Sequence, residues 1–263
     1  LDQKSSLSQI GGQGVFTKEI EKALLNNTID IAVHSLKDLP SKMPDGLILG
    51  AVPERGYVED VLITENGMSL EQLPQNAKVA TGSIRRKSQL LNMRPDLIIS
   101  DLRGNIDTRL RKLKGSGIDA IIMAKAAILR LALNQVLYYE FNTDDMIPAV
   151  GQGAIGIQAR KEDKIIQDIV QALNHRDTFH AVTAERALLA TLDSGCQFPV
   201  GAFARVSGTD LDIRGFVGSE DGKNILHEKI QSEVQDARNA GRILAEKLLD
   251  RGAKSLLDAF SNN

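Results

Sequence analysis

Basic residues at the start of a predicted helix are the feature of this sequence that most directly indicates chemistry. Arg85 and Arg86 fall in its first turn, where the helix dipole and unpaired N–H groups already favour anions. The pair is expected to bind a carboxylate or phosphate, or else to turn into solvent or pair with acidic residues elsewhere. Arg103, at the next strand-to-helix turn, and Arg109, on the following helix, favour an anion site, since ligands bind where strand ends gather.

A second candidate is the polar turn that follows the strand pattern of Ile29, Ile31 and Val33. Asp38 could act as a general acid or base or as an orienting hydrogen-bond acceptor, and Lys37 could bind an anion or pair with Asp38. The structural alternative is a capping aspartate beside a surface lysine. On residue type and position alone, the structural alternative is the more common arrangement.

Cys196 is the single cysteine, which excludes an internal disulfide and a cysteine-only metal site and fits a reducing compartment. It follows Gly195, which is expected to end a helix. A helix C-terminus does not lower a thiol pKa, so an activated protease-type nucleophile is not indicated. The spacing of the four histidines is not typical of a zinc site. They are His34, His175, His180 and His227.

The stretch from Gly151 to Gly156 matches the glycine pattern of dinucleotide-binding loops by letter. In such a loop the glycines follow a strand and open a helix, so that the pyrophosphate meets free N–H groups. Here an extended segment, 154–159, follows instead. The glycines therefore predict a tight interdomain turn rather than a cofactor loop.

Length and composition are those of an ordinary globular protein. At about 150 residues per domain, 263 residues are closer to two domains than to one, and three smaller domains would also fit. A formal net charge of −2 and 4% aromatic residues, with no tryptophan, argue against a general nucleic-acid binder. The most apolar stretch, 121–133, contains Lys125 and Arg130 and is too short to span a bilayer.

Strand and helix patterns alternate through the first half of the chain. Strands are predicted over 78–81, 97–99 and 119–124, and helices over 84–93, 106–114 and 126–133. An earlier helix, carrying Ile20 and Leu24, is expected to be capped by Thr17. This alternation predicts α/β layers with largely parallel sheets.

The second half of the chain has a different order of predicted elements. A helix-rich stretch runs over 162–192, with Asp177 expected to cap its last helix and Gly195 to terminate it. From Gly201, three alternating segments precede one long helical region over 233–260. That order predicts a small antiparallel sheet carrying helices, a separate α+β domain.

Six strings, in order and spanning essentially the whole chain, resemble the porphobilinogen deaminases, also called hydroxymethylbilane synthases. They are GGQGVFTKE (11–19), HSLKDLP (34–40), GSIRR (82–86), LRGNI (102–106), PAVGQGA (148–154) and GCQFPVG (195–201). Six ordered motifs are far more specific than an isolated glycine pattern.

The resemblance implies two α/β domains like type II periplasmic binding proteins, facing each other across a cleft, and a small C-terminal α+β domain. The expected boundaries are 1–53 with 154–172 for a discontinuous first domain, 58–147 for the second and 175–263 for the third. The chain starts at Leu1 and lacks the family's N-terminal strand region with its Arg-x-Ser motif. The first domain is therefore expected to lack strands.

The same resemblance implies a monomeric, cytoplasmic transferase of tetrapyrrole and haem biosynthesis, with porphobilinogen as its substrate and neither nucleic acid nor membrane as a partner. Four porphobilinogen molecules are condensed head to tail with release of ammonia, and the linear tetrapyrrole hydroxymethylbilane is hydrolysed off. The chain grows on a dipyrromethane cofactor held by a thioether to Cys196. Asp38 matches the catalytic aspartate.

The other implied site residues form two sets. Cofactor contacts match Lys37, Ser83, Arg85, Arg86, Arg103, Gly104 and Arg109. Substrate contacts match Gln9, Gln13, Phe16, Ser35, Arg130 and Gln152. The family usually has lysines at the positions of Gln9 and Gln13, so weaker binding of substrate carboxylates is expected. A non-catalytic carboxylate-binding module of the same fold is the alternative, and retention of both Asp38 and Cys196 argues against it.

Overall fold

The computed structural model describes residues 14–261 except positions 103, 105, 114, 116, 134 and 196. Within these residues the strands form three separate sheets, of three, five and three strands. Helices pack against all three of them.

The first sheet is built from two distant parts of the chain. Its strands are β1 (Ile31–Ser35), β2 (Leu47–Ala51) and β8 (Ile155–Arg160), in the order β1-β8-β2. Two helices pack against it, α1 (Gly14–Leu25) and α5 (Lys164–Gln171). Leu24 buries against Ala32 and Leu47 on the α1 side, and Val170 buries against β8 on the α5 side. The chain therefore leaves this sheet after β2 and returns to it about a hundred residues later.

The second sheet is contained in one continuous stretch. Its strands are β3 (Asp60–Ile63), β4 (Lys78–Ala80), β5 (Ile98–Ser100), β6 (Ala120–Ala124) and β7 (Tyr138–Glu140), in the order β5-β4-β6-β3-β7. The helices are α2 (Ile84–Met93), α3 (Ile106–Leu113) and α4 (Lys125–Arg130). Successive residues Val61 and Leu62 belong to different hydrophobic clusters. Because neighbouring side chains of a strand point to opposite faces, both faces of this sheet are covered.

The third sheet is an antiparallel meander with helices packed on it. Its strands are β9 (Val200–Ser207), β10 (Asp210–Gly218) and β11 (Ile225–Glu233). The helices are α6 (Arg176–Thr191), α7 (Ala237–Asp250) and α8 (Ala253–Ser261). A Cβ at Gly241 would lie 2.0 Å from the carbonyl oxygen of Ala184, so α7 can approach α6 this closely only with glycine there.

The predicted α/β class with a C-terminal antiparallel sheet carrying helices is confirmed, and α2 coincides with the helix predicted over 84–93. The prediction of largely parallel sheets is wrong. Only the β4 pairings with β5 and β6 are parallel among the described strands, and both pairings of the first sheet are antiparallel. Alternation of element types along the chain does not determine which strands become neighbours, because that depends on pairing between distant segments.

Two predicted helix caps are wrong. α1 begins at Gly14, so Thr17 lies inside the helix. At the start of α6 the cap is His175, whose side chain accepts a hydrogen bond from the Thr178 N–H at 3.3 Å, while Asp177 lies in the first turn. The Nδ1 lone pair of histidine thus does what a carboxylate oxygen usually does at an N-cap.

Two predicted helix ends also differ. α6 ends at Thr191 and the chain turns at Asp193, which has a φ of 49°, so Gly195 is not the terminating residue. The long C-terminal helix is divided between α7 and α8 at Gly252, whose φ of 98° favours glycine. Among the residues that the structure describes, every helix is too short or too polar to cross a membrane.

Candidate active-site cleft

A cleft of about 680 Å³ lies where the turns after β1, β4 and β5 meet the turn before β8 and the segment after α6. Its cationic side chains are Lys37, Arg85, Arg86 and Arg109, and its anionic side chains are Asp38 and Asp101. The volume is within the range of small-molecule sites. The excess of cations indicates a ligand with several negative charges.

Arg85 and Arg86 are buried in the first turn of α2, and both pair with the fully buried Asp60 at the start of β3. Arg85 Nη2 donates to Asp60 Oδ2 at 2.7 Å, and Arg86 donates from Nε and Nη2 to Asp60 Oδ1 at 3.0 and 2.8 Å. Burial by itself raises the pKa of Asp60, but the two guanidiniums outweigh it and hold this pKa at about 2. Of the alternatives for the arginines, pairing with an acidic residue is therefore observed.

One carboxylate does not neutralise two guanidiniums, so the Arg85–Arg86–Asp60 cluster keeps a positive charge that faces the cleft. Arg85 also donates to the Ile147 carbonyl at 2.7 Å, yet its Nε has no partner among the described residues. A buried donor without a partner is costly. An anion bound in the cleft would supply both the missing charge and an acceptor.

Gln152 joins this cluster from the turn before β8. Its Nε2 donates to the Val58 carbonyl at 2.6 Å and to Asp60 Oδ1 at 3.0 Å, while its Oε1 has no partner in the described part of the chain. Gly151 and Gly153, on either side, have φ of 71° and 78°. A Cβ at Gly153 would lie 2.5 Å from the Tyr57 carbonyl oxygen. The glycines form a tight turn, as predicted, and the turn holds Gln152 against Asp60.

Lys37 and Asp38 lie in a 3₁₀ turn, Leu36–Asp38, directly after β1. Leu36 is buried against Gly151, which anchors the turn at the floor of the cleft. Burial raises the pKa of Asp38, although the charges of Lys37 and His34 oppose the rise. Burial, followed by the charge of Arg86, lowers the pKa of Lys37. Burial in the cleft therefore shifts the pKa of both side chains, which is not expected of a surface lysine beside a capping aspartate.

Arg109 reaches the cleft from α3, where its Nε donates to the Gly104 carbonyl at 2.8 Å. Burial and the charge of Arg86 lower its pKa. Gly104 has a φ of 111°, and a Cβ there would lie 3.1 Å from a methyl carbon of Thr108. Glycine thus allows the backbone of this turn to adopt a conformation in which the Gly104 carbonyl orients Arg109.

Not all of the predicted site residues gather in the cleft. Ser83 and Gly104 line it with the arginines, whereas Ser35 and Arg130 are exposed and are not among its lining residues. Four residues lie outside the described set: Gln9, Gln13, Arg103 and Cys196. Phe16 falls within α1, but its side chain is also outside that set. Gly195, which precedes Cys196 in the sequence, lines the cleft.

Sequence reasoning missed two buried carboxylates, Asp60 and Glu185. Glu185, on α6, forms a bidentate pair with Arg55, with contacts of 2.6 and 3.1 Å, and accepts the N–H groups of Gly151 and Ala204 at 2.8 and 2.9 Å. For Asp60 a signal exists: it opens an otherwise apolar strand and would need a buried cation. For Glu185 the signal is its position among apolar residues at helical spacing, which places this carboxylate on the buried face of α6.

Comparison with known proteins gives consistent matches. The family model described as porphobilinogen deaminase, dipyromethane cofactor binding domain, matches residues 1–168, and the model of the porphobilinogen deaminase C-terminal domain matches 179–250. The porphobilinogen deaminase of Chlorobium chlorochromatii is 47% identical over 257 residues, which cover 96% of this chain and 82% of that protein. That of Moorella thermoacetica is 47% identical over 252 residues, covering 96% and 80%.

Solved structures give a weaker likeness. The periplasmic aliphatic sulphonate binding protein of Escherichia coli is 17% identical, with 66% of this chain and 61% of that chain covered and a TM-score of 0.37.

Proposed function

The chain belongs to the porphobilinogen deaminase family of tetrapyrrole biosynthesis, and on this basis we propose that it is a transferase that builds hydroxymethylbilane from four porphobilinogen molecules. The observation that carries the proposal is the cleft in which Asp38 lies among four cationic side chains. The family resemblance of the six motifs is confirmed by the family models.

The reaction requires one carbon–nitrogen bond to break and one carbon–carbon bond to form at each addition. The protonated amino group of the porphobilinogen aminomethyl substituent leaves as ammonia, and the methylene carbon remains on the ring as part of an azafulvene cation. A pyrrole carbon of the growing chain attacks the exocyclic methylene and then loses its proton. After four additions, water releases the tetrapyrrole. Dipyrromethane supplies the first nucleophilic pyrrole carbon.

The described residues fit a dipyrromethane. Each of its two pyrroles carries an acetate and a propionate, and the cleft offers four cations to these four acids. Arginine suits them because its planar fork binds a carboxylate through two parallel hydrogen bonds. We assign Lys37, Arg85, Arg86 and Arg109 to the cofactor acids. Ser83 and Gly104, which line the cleft, are assigned as further cofactor contacts, and Arg103 is assigned on the motif match alone. We assign Cys196 as the thioether position, a role supported by Gly195 at the cleft wall.

Asp38 is proposed as the catalytic residue. Its carboxylate accepts hydrogen bonds from pyrrole N–H groups and stabilises the positive charge that develops as ammonia leaves. A charge held in a partly buried site acts more strongly than one in water, because little solvent reorganises around it. Burial raises the pKa of Asp38, so a cation formed beside this carboxylate would offset part of the cost of burying its charge.

Substrate contacts are proposed for the remaining predicted residues. Gln152 lines the cleft, and its Oε1, which has no partner among the residues that the structure describes, can accept an N–H group. The others are Gln9, Gln13, Phe16, Ser35 and Arg130, which rest on the motif match. Arg130 and Ser35 would have to reach a longer, growing chain, since neither lines the cleft.

We further propose that the three sheets mark three domains, 1–53 with 154–172, 58–147 and 175–263, in a monomeric cytoplasmic protein. The strands of the first sheet come from both parts of the first range, which supports a discontinuous domain. Light scattering of the purified protein tests the monomer.

Intact-protein mass spectrometry tests the function. The denatured protein should be heavier than its sequence by one dipyrromethane, and the Cys196→Ala variant should lack the excess. Cys196 is the single cysteine, so no second thiol can carry the group. The wild type should also consume porphobilinogen. A chain that binds the substrate without turnover and without an adduct would instead be a carboxylate-binding module.

A further inference from the structure

Arg186 lies on α6, outside the cleft, and holds the segment that follows Asp38. Its Nη1 donates to the Leu39 carbonyl at 3.2 Å, and its Nη2 donates to the carbonyls of Pro40 and Ser41 at 2.6 and 3.2 Å. Only 9% of the residue is exposed. A buried guanidinium that binds three consecutive carbonyls fixes the path of the backbone through charge-assisted hydrogen bonds.

The clamped segment continues directly from the turn that carries Asp38. Leu39 is buried, and its N–H donates to the Leu36 carbonyl at 3.1 Å, so the turn and the clamped segment share a hydrogen bond. Movement of the carbonyls that Arg186 holds would therefore displace Asp38, one residue away.

The same helix leads to the segment that carries the cysteine. α6 has 16 residues and ends at Thr191, and four residues later Gly195 lines the cleft. The preceding residue of α6, Glu185, accepts a hydrogen bond from the Gly151 N–H, and Gly151 packs against Leu36 of the Asp38 turn. One rigid helix thus touches the Asp38 turn and sets where the chain enters the Cys196 segment.

We propose that Arg186 is a positioning residue that fixes the Asp38 turn relative to the helix leading to Cys196. The inference rests on the proposed function, because Arg186 would act through Asp38 and the cofactor cysteine, whose roles that function assigns. The positions of the carboxylate and of the residue to which the chain is attached together determine which pyrrole of the growing chain reaches Asp38.

Lysine cannot replace arginine fully in this position. Its ammonium is a compact point charge, whereas the guanidinium fork presents several donors in one plane. A groove of about 560 Å³ that includes Met43, Leu49 and Phe179 adjoins Arg186, so the segment has room to move once the fork is lost.

The test compares the wild-type holoenzyme with Arg186→Met, Arg186→Lys and a control, Arg238→Met. Arg238 borders the same groove but is exposed. We expect Arg186→Met to lower kcat about tenfold or more with a smaller change in KM, because Asp38 acts on the transition state. Arg186→Lys should recover part of kcat, and Arg238→Met should match the wild type. Intact mass confirms that each protein carries its cofactor.

Hydrogen exchange of peptides covering 36–42 gives a readout without turnover, and Arg186→Met should exchange faster there than the control. Wild-type turnover tests the proposed function separately. The proposal is overturned if Arg186→Met melts earlier but keeps wild-type kcat and wild-type exchange in this segment. If Arg186→Met does not fold, the same criterion applies to Arg186→Lys.

Discussion

At the scale of single residues, Asp38 is the group whose ionisation the cleft controls most directly. Its carboxylate is partly buried and its pKa is raised, while Lys37 and His34 oppose the rise. Since the proposed role needs the ionised form, kcat/KM, which reports ionisations of the free enzyme, should fall as the pH drops through this raised pKa. The acidic limb of the pH–rate profile should therefore lie above the usual carboxyl value of about 3.9.

Two variants test the assignment of that limb. Asp38→Asn keeps the shape of the side chain but removes the charge, so kcat should fall ~10²-fold or more and the limb should vanish. Lys37→Met removes an opposing cation, so the limb should move to higher pH. Steady-state porphobilinogen consumption across pH gives both results. An unmoved limb in Asp38→Asn would assign it to another group.

At the scale of secondary-structure elements, the first turn of α2 shows how a helix start can hold two buried arginines. At a helix start two arginines without counter-charges would be unfavourable, because the helix dipole already places positive charge there. In the structure Asp60 on β3 pairs with both side chains and offsets this cost. Removing one guanidinium still leaves a one-to-one pair, whereas removing the carboxylate leaves two buried cations.

A double-mutant cycle measures this coupling. Arg86→Leu should cost about 1–3 kcal/mol of stability and impair chain growth, and Asp60→Asn should cost about 3–5 kcal/mol. The double variant should lose less than the sum, with a coupling of about 0.5–3 kcal/mol. Lys87→Met is the control on the same helix, since its pair with Glu220 is partly exposed and contributes about 0–1 kcal/mol. Additive losses in urea unfolding would contradict a shared carboxylate.

The elements were predictable from sequence to different degrees. The apolar spacing and the flanking Ser83 and Pro95 predicted α2, because these signals are local. The antiparallel pairing of β1 with β8 was not predictable, since the two strands are more than a hundred residues apart. In the site, the motifs found the arginines and Asp38. The sequence also signals a buried carboxylate at Asp60, but its pairing with Arg85 and Arg86 becomes evident only in the folded chain.

At the scale of the whole molecule, buried ion pairs join segments that connect the three sheets. Arg55 lies on the chain between β2 and β3, and its Nε donates to the Gln152 carbonyl at 2.9 Å on the return toward β8. Its partner Glu185 also accepts the N–H of Ala204 in β9. Through Gln152, which donates to Asp60, this pair is continuous with the arginine cluster of the cleft.

Breaking the Arg55–Glu185 pair should therefore lower the stability of the whole molecule. Glu185→Gln leaves Arg55 buried without a counter-charge, which costs about 3–5 kcal/mol. For a chain of this size that lowers Tm by about 2–4 °C per kcal/mol. Adding Arg55→Met should recover part of the loss, because removing both charges leaves neither unpaired. Glu228→Gln is the control, since its pair with Arg251 is more exposed and contributes about 0–1 kcal/mol. Calorimetry of the four proteins decides the matter: an equal Tm for Glu185→Gln and the control would mean that the pair does not hold these segments together.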